Sequence, residues 1–238
     1  MLDKSGPPIL MTRDLVSGYG LRPVLGGLSI EIAAGELVAV IGHNGAGKST
    51  LLKTIFGLVH STSGDVFLDG MQVAPQPRRL LSLGVAYAPQ GNRVFPHLTV
   101  AENLKVGAAG KIDDGVRRLT RAIALFPELR DLLPRRAGKL SGGQRQMVSL
   151  AATLATDPRL ILLDEPSLGL AQPLAKTILQ RVQTVCRETG VAALVVEQKV
   201  REILAVSDRV YVLRRGTISF DGRPSTLEND QALREVFL

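Results

Sequence analysis

The alternation of hydrophobic and polar positions predicts three strands near the start of the chain. Residues 9–41 contain the stretches ILMTRDLVSGY, LSIEI and ELVAVIG. The third stretch is almost wholly apolar, which is typical of a strand covered on both faces by other layers. It runs directly into the glycine-rich stretch GHNGAGKST, and the helical pattern LLKTIFGLV follows. Strand, glycine-rich loop and helix form a recurring supersecondary unit, so this part of the chain is predicted to be α/β.

The pattern changes over residues 91–155, where helical periodicity dominates and is punctuated by Pro96, Pro127 and Pro134. Two short strand patterns, STSGDVFLDG and GVAYAPQ, precede this segment. After it come the strand RLILLDEP, the helix PLAKTILQRVQTVCRETG, the strand VAALVVE, the helix VREILAVS, the strand pair RVYVLRRGTISFDG and a closing helix over 225–238. Strands that alternate with helices predict a parallel sheet with helices on its faces.

These patterns divide the chain into a loose N-terminus (1–8), the first part of an α/β core (9–90), a helical subdomain (91–155) and the second part of the core (156–238). There is no internal repeat and no low-complexity linker. We therefore expect one core with a helical insertion.

Composition narrows the classes of protein that fit. Of the 238 residues, 45% are apolar and 21% charged, which indicates a globular chain rather than a disordered one. The net charge of +7 is compatible with an anionic partner, either nucleic acid or a membrane surface, and equally with a solvated basic face. No apolar run approaches the roughly 18 residues of a membrane span, and the first ten residues lack the apolar stretch of a signal peptide. We expect a soluble chain, or one held at a membrane through a partner.

The cysteine and histidine content excludes two further kinds of site. A single cysteine, Cys186, excludes an intramolecular disulfide and a cysteine-based zinc site. The three histidines, His43, His60 and His97, are too scattered to form a metal-ligand pattern.

The first candidate site is the glycine-rich loop, which matches G-x-x-x-x-G-K-[ST]. Glycines let successive backbone N–H groups point at phosphate oxygens, and the following helix adds its positive N-terminal end. The lysine is predicted to reach the β- and γ-phosphates and the serine hydroxyl to bind Mg²⁺. The alternative is a glycine-rich turn that merely precedes a helix. The candidate residues are Gly42, His43, Asn44, Gly45, Ala46, Gly47, Lys48, Ser49 and Thr50.

The second candidate site is a pair of acids at the end of an apolar strand, Asp164 and Glu165 in LILLDEP. Open parallel sheets bind ligands at the carboxyl ends of their strands. Asp164 is predicted to hold Mg²⁺ and Glu165 to act as general base toward the attacking water. The alternative is an acid that caps the next helix.

A third stretch, KLSGGQRQMVSL, places two glycines directly before a predicted helix. Ser141 precedes Gly142 and Gly143, and Gln144 follows them. A helix N-terminus preceded by such residues is a good anion site. The chain therefore carries two predicted phosphate-binding corners.

With these motifs together, the sequence resembles the ATP-binding subunits of ATP-binding-cassette (ABC) transporters, from about residue 10 to the last. LSGGQ at 140–144 resembles the signature of that family. The resemblance implies a P-loop NTPase cassette with a RecA-like parallel-sheet core, an antiparallel β subdomain and an inserted helical subdomain. It implies ATPase activity, ATP and Mg²⁺ as cofactors, and head-to-tail pairing in which Ser141 and the N–H of Gly143 contact the γ-phosphate held by the other cassette.

Two further residues take their roles from the resemblance. Tyr19 resembles the aromatic residue that stacks on adenine, and the alternative is an ordinary strand tyrosine. Gln90 in YAPQ resembles the glutamine that senses Mg²⁺ and the attacking water, and the alternative is a surface amide. The 91–108 region after Gln90 is where contact with a permease is expected.

Within the family, the chain is most similar to ATPases that import branched-chain amino acids, or to relatives that import urea and short amides. The stretches that carry this similarity are GNRVFPHLTVAENLKVGA, FPELRDLL, LSGGQRQM, DEPSLGLA and VVEQKV.

Two positions depart from the common family pattern. Gln198 stands where many cassettes have a histidine that contacts the γ-phosphate, and an amide cannot carry a proton at neutral pH. Ala171 stands where many have an aspartate. From Gln198 we expect a heterodimer with a second ABC ATPase that carries the histidine, with a homodimer as the alternative.

The leading hypothesis is the ATPase subunit of a membrane importer, peripheral on the cytoplasmic face of the inner or plasma membrane. Its expected partners are a second cassette, integral-membrane permease subunits and, indirectly, an external solute-binding protein. One alternative is a non-transport ABC ATPase that acts on nucleic acid or ribosomes, which the net charge favours and the single cassette opposes. Another is a non-hydrolytic ATP-binding switch, which an intact Glu165 opposes. Nucleic acid is not an expected partner under the leading hypothesis.

Overall fold

The computed structural model describes residues 7–20, 22–91, 93–106 and 112–227, with backbone alone at 112 and 113. The strands are β1 Leu10–Tyr19, β2 Arg22–Ile32, β3 Leu37–Ile41, β4 Ser61–Leu68, β5 Met71–Val73, β6 Val85–Ala88, β7 Leu160–Asp164, β8 Ala192–Val196, β9 Arg209–Arg214 and β10 Thr217–Gly222. The helices are α1 Lys48–Phe56, α2 Pro77–Ser82, α3 Val100–Lys105, α4 Ile112–Leu125, α5 Gly142–Leu154, α6 Gln172–Thr189, α7 Val200–Leu204 and α8 Pro224–Leu227.

The main sheet has six strands in the order β10-β9-β3-β8-β7-β6. Its strands pair in parallel except at the edge, where β10 is antiparallel to β9. Every residue of β3, β7 and β8 is buried, as their apolar sequences predict for strands covered on both faces. This sheet is the frame that positions the candidate site.

A second, antiparallel sheet in the order β2-β1-β4-β5 covers one face of the main sheet. Side chains of both sheets and of α1 share one hydrophobic core. A second core lies on the opposite face and joins the main sheet to α3, α5, α6 and α7. The predicted α/β class is confirmed, with a parallel core and an antiparallel β layer.

Between β6 and β7 the chain forms helices α3, α4 and α5 and two short 3-10 helices, Pro127–Leu132 and Ala137–Lys139. Both α3 and α5 begin with a capping box, in which the first side chain and the third helical residue satisfy each other's backbone N–H groups. These elements occupy the segment predicted to be a helical subdomain, and the four-part division of the chain stays a prediction.

The structure differs from the sequence predictions at short elements and at one motif. Strand β5 and helix α2 were not predicted, because three to six residues carry too little periodicity. Helix α7 covers five residues of the predicted VREILAVS. Residues 224–227 form α8, and the rest of the predicted closing helix, like residues 1–6 of the predicted loose N-terminus, lies outside the described residues.

The placement of Gly142 and Gly143 directly before a helix is wrong. They form the first turn of α5 itself, because the side chain of Ser141 caps the helix one residue earlier.

Candidate functional site

The order of the strands in the main sheet gathers the predicted chemical groups at one edge. The carboxyl ends of β3, β8, β7 and β6 lie side by side. They lead, in that order, to the glycine-rich loop, to Gln198, to Asp164 and Glu165, and to Gln90. This edge is where open parallel sheets bind their ligands.

The glycine-rich loop wraps around the ammonium group of Lys48. The Nζ atom donates to the carbonyl oxygens of Gly42 at 2.7 Å and His43 at 3.1 Å. Lys48 is only 5% exposed, and burial lowers its pKa, while the nearby carboxylates of Glu165 and Asp164 act to raise it. The ammonium group is therefore held at the centre of the loop, where a phosphate would meet it.

Glycine is required at two turns of this loop. Gly45 and Gly47 have φ of 80° and 107°, in the left-handed region that side chains rarely adopt. A Cβ on Gly47 would also lie 2.9 Å from Leu25 Cδ2.

The other members of the loop divide by exposure. His43, Asn44 and Gly45 are exposed, so they are open to a ligand. Ala46 and Thr50 are buried and pack into the protein. The carbonyl of Ala46 accepts from Gly216 N at 3.0 Å, and the carbonyl of Thr50 accepts from Thr54 Oγ1 at 2.8 Å. Ala46 and Thr50 therefore anchor the loop to neighbouring parts of the protein rather than contact a ligand.

Asp164 lies between two hydroxyl groups. Ser49 Oγ donates to Asp164 Oδ1 at 2.8 Å, and Tyr87 Oη donates to Oδ2 at 3.3 Å. Asp164 is 3% exposed, and burial raises the pKa of its carboxyl above the ordinary value, although the two hydrogen bonds oppose the shift. A buried carboxylate with raised pKa beside a phosphate loop is poised to accept positive charge.

Two amides hold the Glu165 carboxylate. Gln90 Nε2 donates to one oxygen at 2.8 Å, and Gln198 Nε2 donates to the other at 2.6 Å. The residue is 5% exposed, and its φ is 49°, in the left-handed region. The backbone N–H of Glu165 donates to Val196 O at 2.9 Å. Glu165 is therefore held by three hydrogen bonds, one with Gln90 after β6 and two with the end of β8 and the residues that follow it.

The second predicted phosphate corner is built into the start of α5. Ser141 Oγ accepts from the N–H of Gln144 at 3.3 Å, and Gln144 Oε1 accepts from the N–H of Ser141 at 3.0 Å. A Cβ on Gly143 would lie 2.0 Å from Leu174 Cδ2, whereas a Cβ on Gly142 would meet nothing within 4 Å. Packing of α6 therefore requires a glycine at position 143, whereas the surroundings of Gly142 leave room for a side chain.

The structure brings six of the predicted residues together as one cluster. Ser49 and Asp164 form one hydrogen-bonded pair, Gln90, Glu165 and Gln198 form a hydrogen-bonded trio, and Lys48 interacts electrostatically with both carboxylates. Tyr19 lies outside that cluster, at the end of β1, with 54% of its surface exposed. The Ser141–Gln144 corner lies at the start of α5, where Ser141 is exposed and Gly142 and Gln144 are half-buried.

Sequence reasoning missed two residues of the site. Tyr87 lies in the YAPQ stretch, but nothing in the sequence indicates that its hydroxyl reaches Asp164 on the neighbouring strand. Glu197 is 1% exposed, and its carboxylate accepts from the N–H groups of Ser167, Gln198 and Lys199. Burial raises the pKa of Glu197, and these hydrogen bonds oppose the shift. The only indication of Glu197 in the sequence is that an acidic residue directly follows a fully apolar strand.

A parallel sheet with a lysine-centred phosphate loop and two buried carboxylates at its strand ends defines a phosphate-loop NTPase. The profile of the family described as "ABC transporter" matches residues 25–168 of the chain. The chain belongs to this family, and it is an ATPase that powers transport. Within the described residues, no helix is both long and apolar enough to cross a bilayer.

Relatives of known name cover nearly the whole chain. A probable branched-chain amino acid transport ATP-binding protein, LivF of Archaeoglobus fulgidus, is 40% identical over 92% of this chain and 94% of its own length. The high-affinity branched-chain amino acid transport ATP-binding protein BraG of Pseudomonas aeruginosa is 38% identical over 96% and 99%. The lipopolysaccharide export ATP-binding protein LptB of Acidithiobacillus ferridurans is 33% identical over 97% and 96%.

Among solved structures, the ADP conformation of MJ1267, an ATP-binding cassette of an ABC transporter, is similar with a TM-score of 0.85. It is 29% identical, and the match covers 97% of this chain and 98% of that one. The predicted family and cassette fold are confirmed.

Proposed function

We propose that this chain is the ATPase subunit of an importer for branched-chain amino acids, bound to the cytoplasmic face of the membrane. The observation that carries the proposal is the 40% identity to the LivF protein over 92% of the chain, because it includes the helical segment as well as the motifs. Importers for urea or short amides remain the nearest alternative within this reading. The whole-chain similarity leaves little room for a nucleic-acid-binding insertion.

The cluster suits ATP hydrolysis as follows. Lys48 contacts the β- and γ-phosphates in place of the carbonyls it now binds. Glu165 takes a proton from water as the water oxygen forms a bond to the γ-phosphorus, and the bond to the bridging oxygen of ADP breaks. Gln90 and Gln198 orient the carboxylate, and each carboxylate oxygen keeps a second lone pair for the water. Tyr19 supplies an exposed ring for the adenine.

The same cluster fits Mg²⁺. Ser49 Oγ and Asp164 Oδ1 converge beside the glycine-rich loop, and both are the hard oxygen donors that Mg²⁺ prefers. Mg²⁺ would neutralise charge on the phosphates, with Ser49, Asp164 and Gln90 as the protein groups that hold it. No group of three His, Cys, Asp or Glu side chains gathers in the described ranges, so the nucleotide is expected to complete the shell.

Pairing of two cassettes would give the exposed Ser141 at the start of α5 a phosphate to bind. Ser141 and the N–H of Gly143 would contact the γ-phosphate bound by the other subunit, and these contacts would be lost on hydrolysis. ATP would thus hold two subunits together, and hydrolysis would release them. Permease subunits would dock near Gln90 and the 91–108 region, and an external solute-binding protein would deliver the solute.

Lipopolysaccharide export is the second candidate function, because the LptB relative covers as much of the chain at 33% identity. We rank lipopolysaccharide export behind amino-acid import because 33% identity is lower than the 40% identity to the LivF protein. The permeases that accompany the chain separate the two.

Co-purification tests the proposal. Tagged Glu165→Gln, expressed at native level in its own host, would be loaded with ATP, and the membranes would be solubilised gently. Recovery of two permease subunits and a second cassette supports the importer, and an associated amino-acid receptor names the solute. Recovery of export components would favour the second candidate, and recovery of ribosomes, DNA or soluble proteins alone would reject transport.

A further inference from the structure

Four successive residues at the end of β8 each contact the loop that follows Asp164. We call these the 196–199 segment and the 165–171 loop. The contacts are Glu165 N to Val196 O at 2.9 Å, Ser167 N to Glu197 Oε1 at 2.8 Å, Gln198 Nε2 to Glu165 Oε1 at 2.6 Å, and Lys199 Nζ to Leu170 O. The last contact holds the end of the loop that leads into α6.

The Lys199 contact fastens a junction that has no side-chain cap. Helix α6 follows the 165–171 loop, and its N-cap residue is Ala171, which offers no side-chain hydrogen bond. Lys199 donates to the carbonyl of the preceding residue, Leu170, which holds the end of the loop but does not cap the N–H groups of α6. Hydrogen bonds from charged donors are stronger than neutral ones.

The backbone groups of Lys199 are already engaged in hydrogen bonds. Glu197 is 1% exposed and accepts from the N–H groups of Gln198 at 3.0 Å and Lys199 at 3.3 Å. Lys199 is also the N-cap of α7, and its carbonyl accepts from Ile203 N at 3.1 Å. Only the side chain of Lys199 is therefore free to reach the 165–171 loop.

We propose that Lys199 is a positioning residue of the ATPase reaction: by holding Leu170 O, it keeps the 165–171 loop against the 196–199 segment and so keeps the Gln198 amide on Glu165. The proposal rests on the proposed role of Glu165 as general base. Without the lysine donor, the far end of the loop is released, and Gln198 holds the Glu165 carboxylate less firmly. The loss falls on the chemical step, because Lys199 lies outside the glycine-rich loop that binds phosphate.

Three substitutions test the donor itself. Lys199→Met keeps the apolar stem without a donor, Lys199→Gln keeps a neutral donor on a shorter stem, and Lys199→Arg keeps a long cationic donor. We expect the Met and Gln variants to lose about 10-fold in kcat with KM for ATP within about twofold, and the Arg variant to keep at least half of kcat. Lys176→Met, at an exposed position of α6, is the matched control and should behave as wild type.

The readout is steady-state ATPase kinetics of the full chain, with thermal melts of each variant. Wild-type kcat in either the Met or the Gln variant overturns the proposal, as does a kcat in the Arg variant as low as in these two. If one variant fails to fold, the other decides. Glu165→Gln is measured in parallel: full activity there would reject the role of Glu165, whereas an inactive Glu165→Gln with an unaffected Lys199→Met rejects the role of Lys199 alone.

Discussion

At the scale of single residues, Glu165 combines an unfavourable backbone conformation with a carboxylate held at both oxygens. Its φ of 49° lies in a region that costs a non-glycine residue of order 1–3 kcal/mol. The hydrogen bonds from Gln90 and Gln198, and that of its own N–H to Val196, hold it there. Such strain persists only where the surroundings determine it, which is typical of functional positions.

Replacing Glu165 by Gln is expected to reduce ATP hydrolysis by at least about 10²–10⁴-fold, because an amide cannot accept the proton of the attacking water. ATP binding should remain, since Lys48 and the glycine-rich loop are unchanged. Turnover and nucleotide affinity are measured on the same preparation, with Glu188→Gln on the exposed surface of α6 as the control. Equal turnover in Glu165→Gln and wild type would contradict the assignment of the base.

Asp164 offers a test through stability. Burial raises its pKa in the folded state, so the folded protein binds this proton more tightly than the unfolded chain does. The stabilising contribution is fully present below the unfolded pKa of about 3.9 and is lost as pH rises through the raised folded pKa. Asp164→Asn should therefore be more stable than wild type at pH 7 without nucleotide, although it should be inactive.

Urea unfolding from about pH 8 down to about pH 4.5 measures this difference, which should shrink toward acid pH. Asp221→Asn is a control, since that carboxylate is more exposed and pairs with Arg209. A variant of Asp164 that is less stable than wild type throughout the range would show that its hydrogen bonds outweigh the cost of burial.

The sequence was sufficient to predict the residues of this site whose roles depend on local pattern. Lys48 and Ser49 follow a glycine-rich loop, and Asp164 ends an apolar strand. Tyr87 and Lys199 could not be predicted, because their partners, Asp164 and Leu170, are 77 and 29 residues away along the chain. Such contacts depend on strand order and loop shape, which one sequence does not specify.

At the scale of elements, α3 and α5 provide a matched pair, because each begins with a capping box. Thr99 caps α3 with Glu102, and Ser141 caps α5 with Gln144. The two caps do similar structural work in the same helical segment. Only the second is proposed to meet a phosphate.

Thr99→Ala and Ser141→Ala should each lower the free energy of unfolding by about 1 kcal/mol, the usual value of an N-cap hydroxyl. Only Ser141→Ala should also reduce ATPase activity, because it removes a proposed contact to the γ-phosphate. Denaturant unfolding and ATPase assays of both variants separate the two effects. Equal loss of activity in both would mean that α5 acts only through its stability.

The elements were predicted unevenly, and their length explains why. Strands β3, β7 and β8 are buried on both faces, so continuous apolar runs marked them clearly. Strand β5 and helix α2 are stabilised by their place in the fold rather than by a pattern of their own. The glycines of α5 were placed outside the helix because the low helix propensity of glycine does not apply to a first turn whose N–H groups are capped.

At the scale of the whole molecule, Gln198 leads to a prediction about pairing. Its amide donates a hydrogen bond to Glu165, but unlike a histidine it cannot be protonated to a cation near neutral pH. If the working assembly contains a second cassette with histidine at this position, turnover of the mixture should exceed the sum of the separate rates.

The measurement is ATPase activity of this chain alone, of the second cassette alone, and of both together. Lys48→Ala of this chain, which removes a proposed phosphate contact, tests whether the gain depends on ATP held by this chain. Full activity of the chain alone, unchanged by the second cassette, would rule out the heteromeric pair and favour a homodimer.

The strand order of the main sheet also affects how the protein is made. Strand β3 ends at residue 41, yet both of its neighbours, β8 and β9, come from beyond residue 190. On a ribosome, the phosphate loop would therefore emerge long before the strands that hold it in place. The nascent chain cannot assemble the cluster around Glu165 until Gln198 has left the exit tunnel. The site therefore becomes complete only after residue 198 has been made and exposed, although the phosphate loop ends at residue 50.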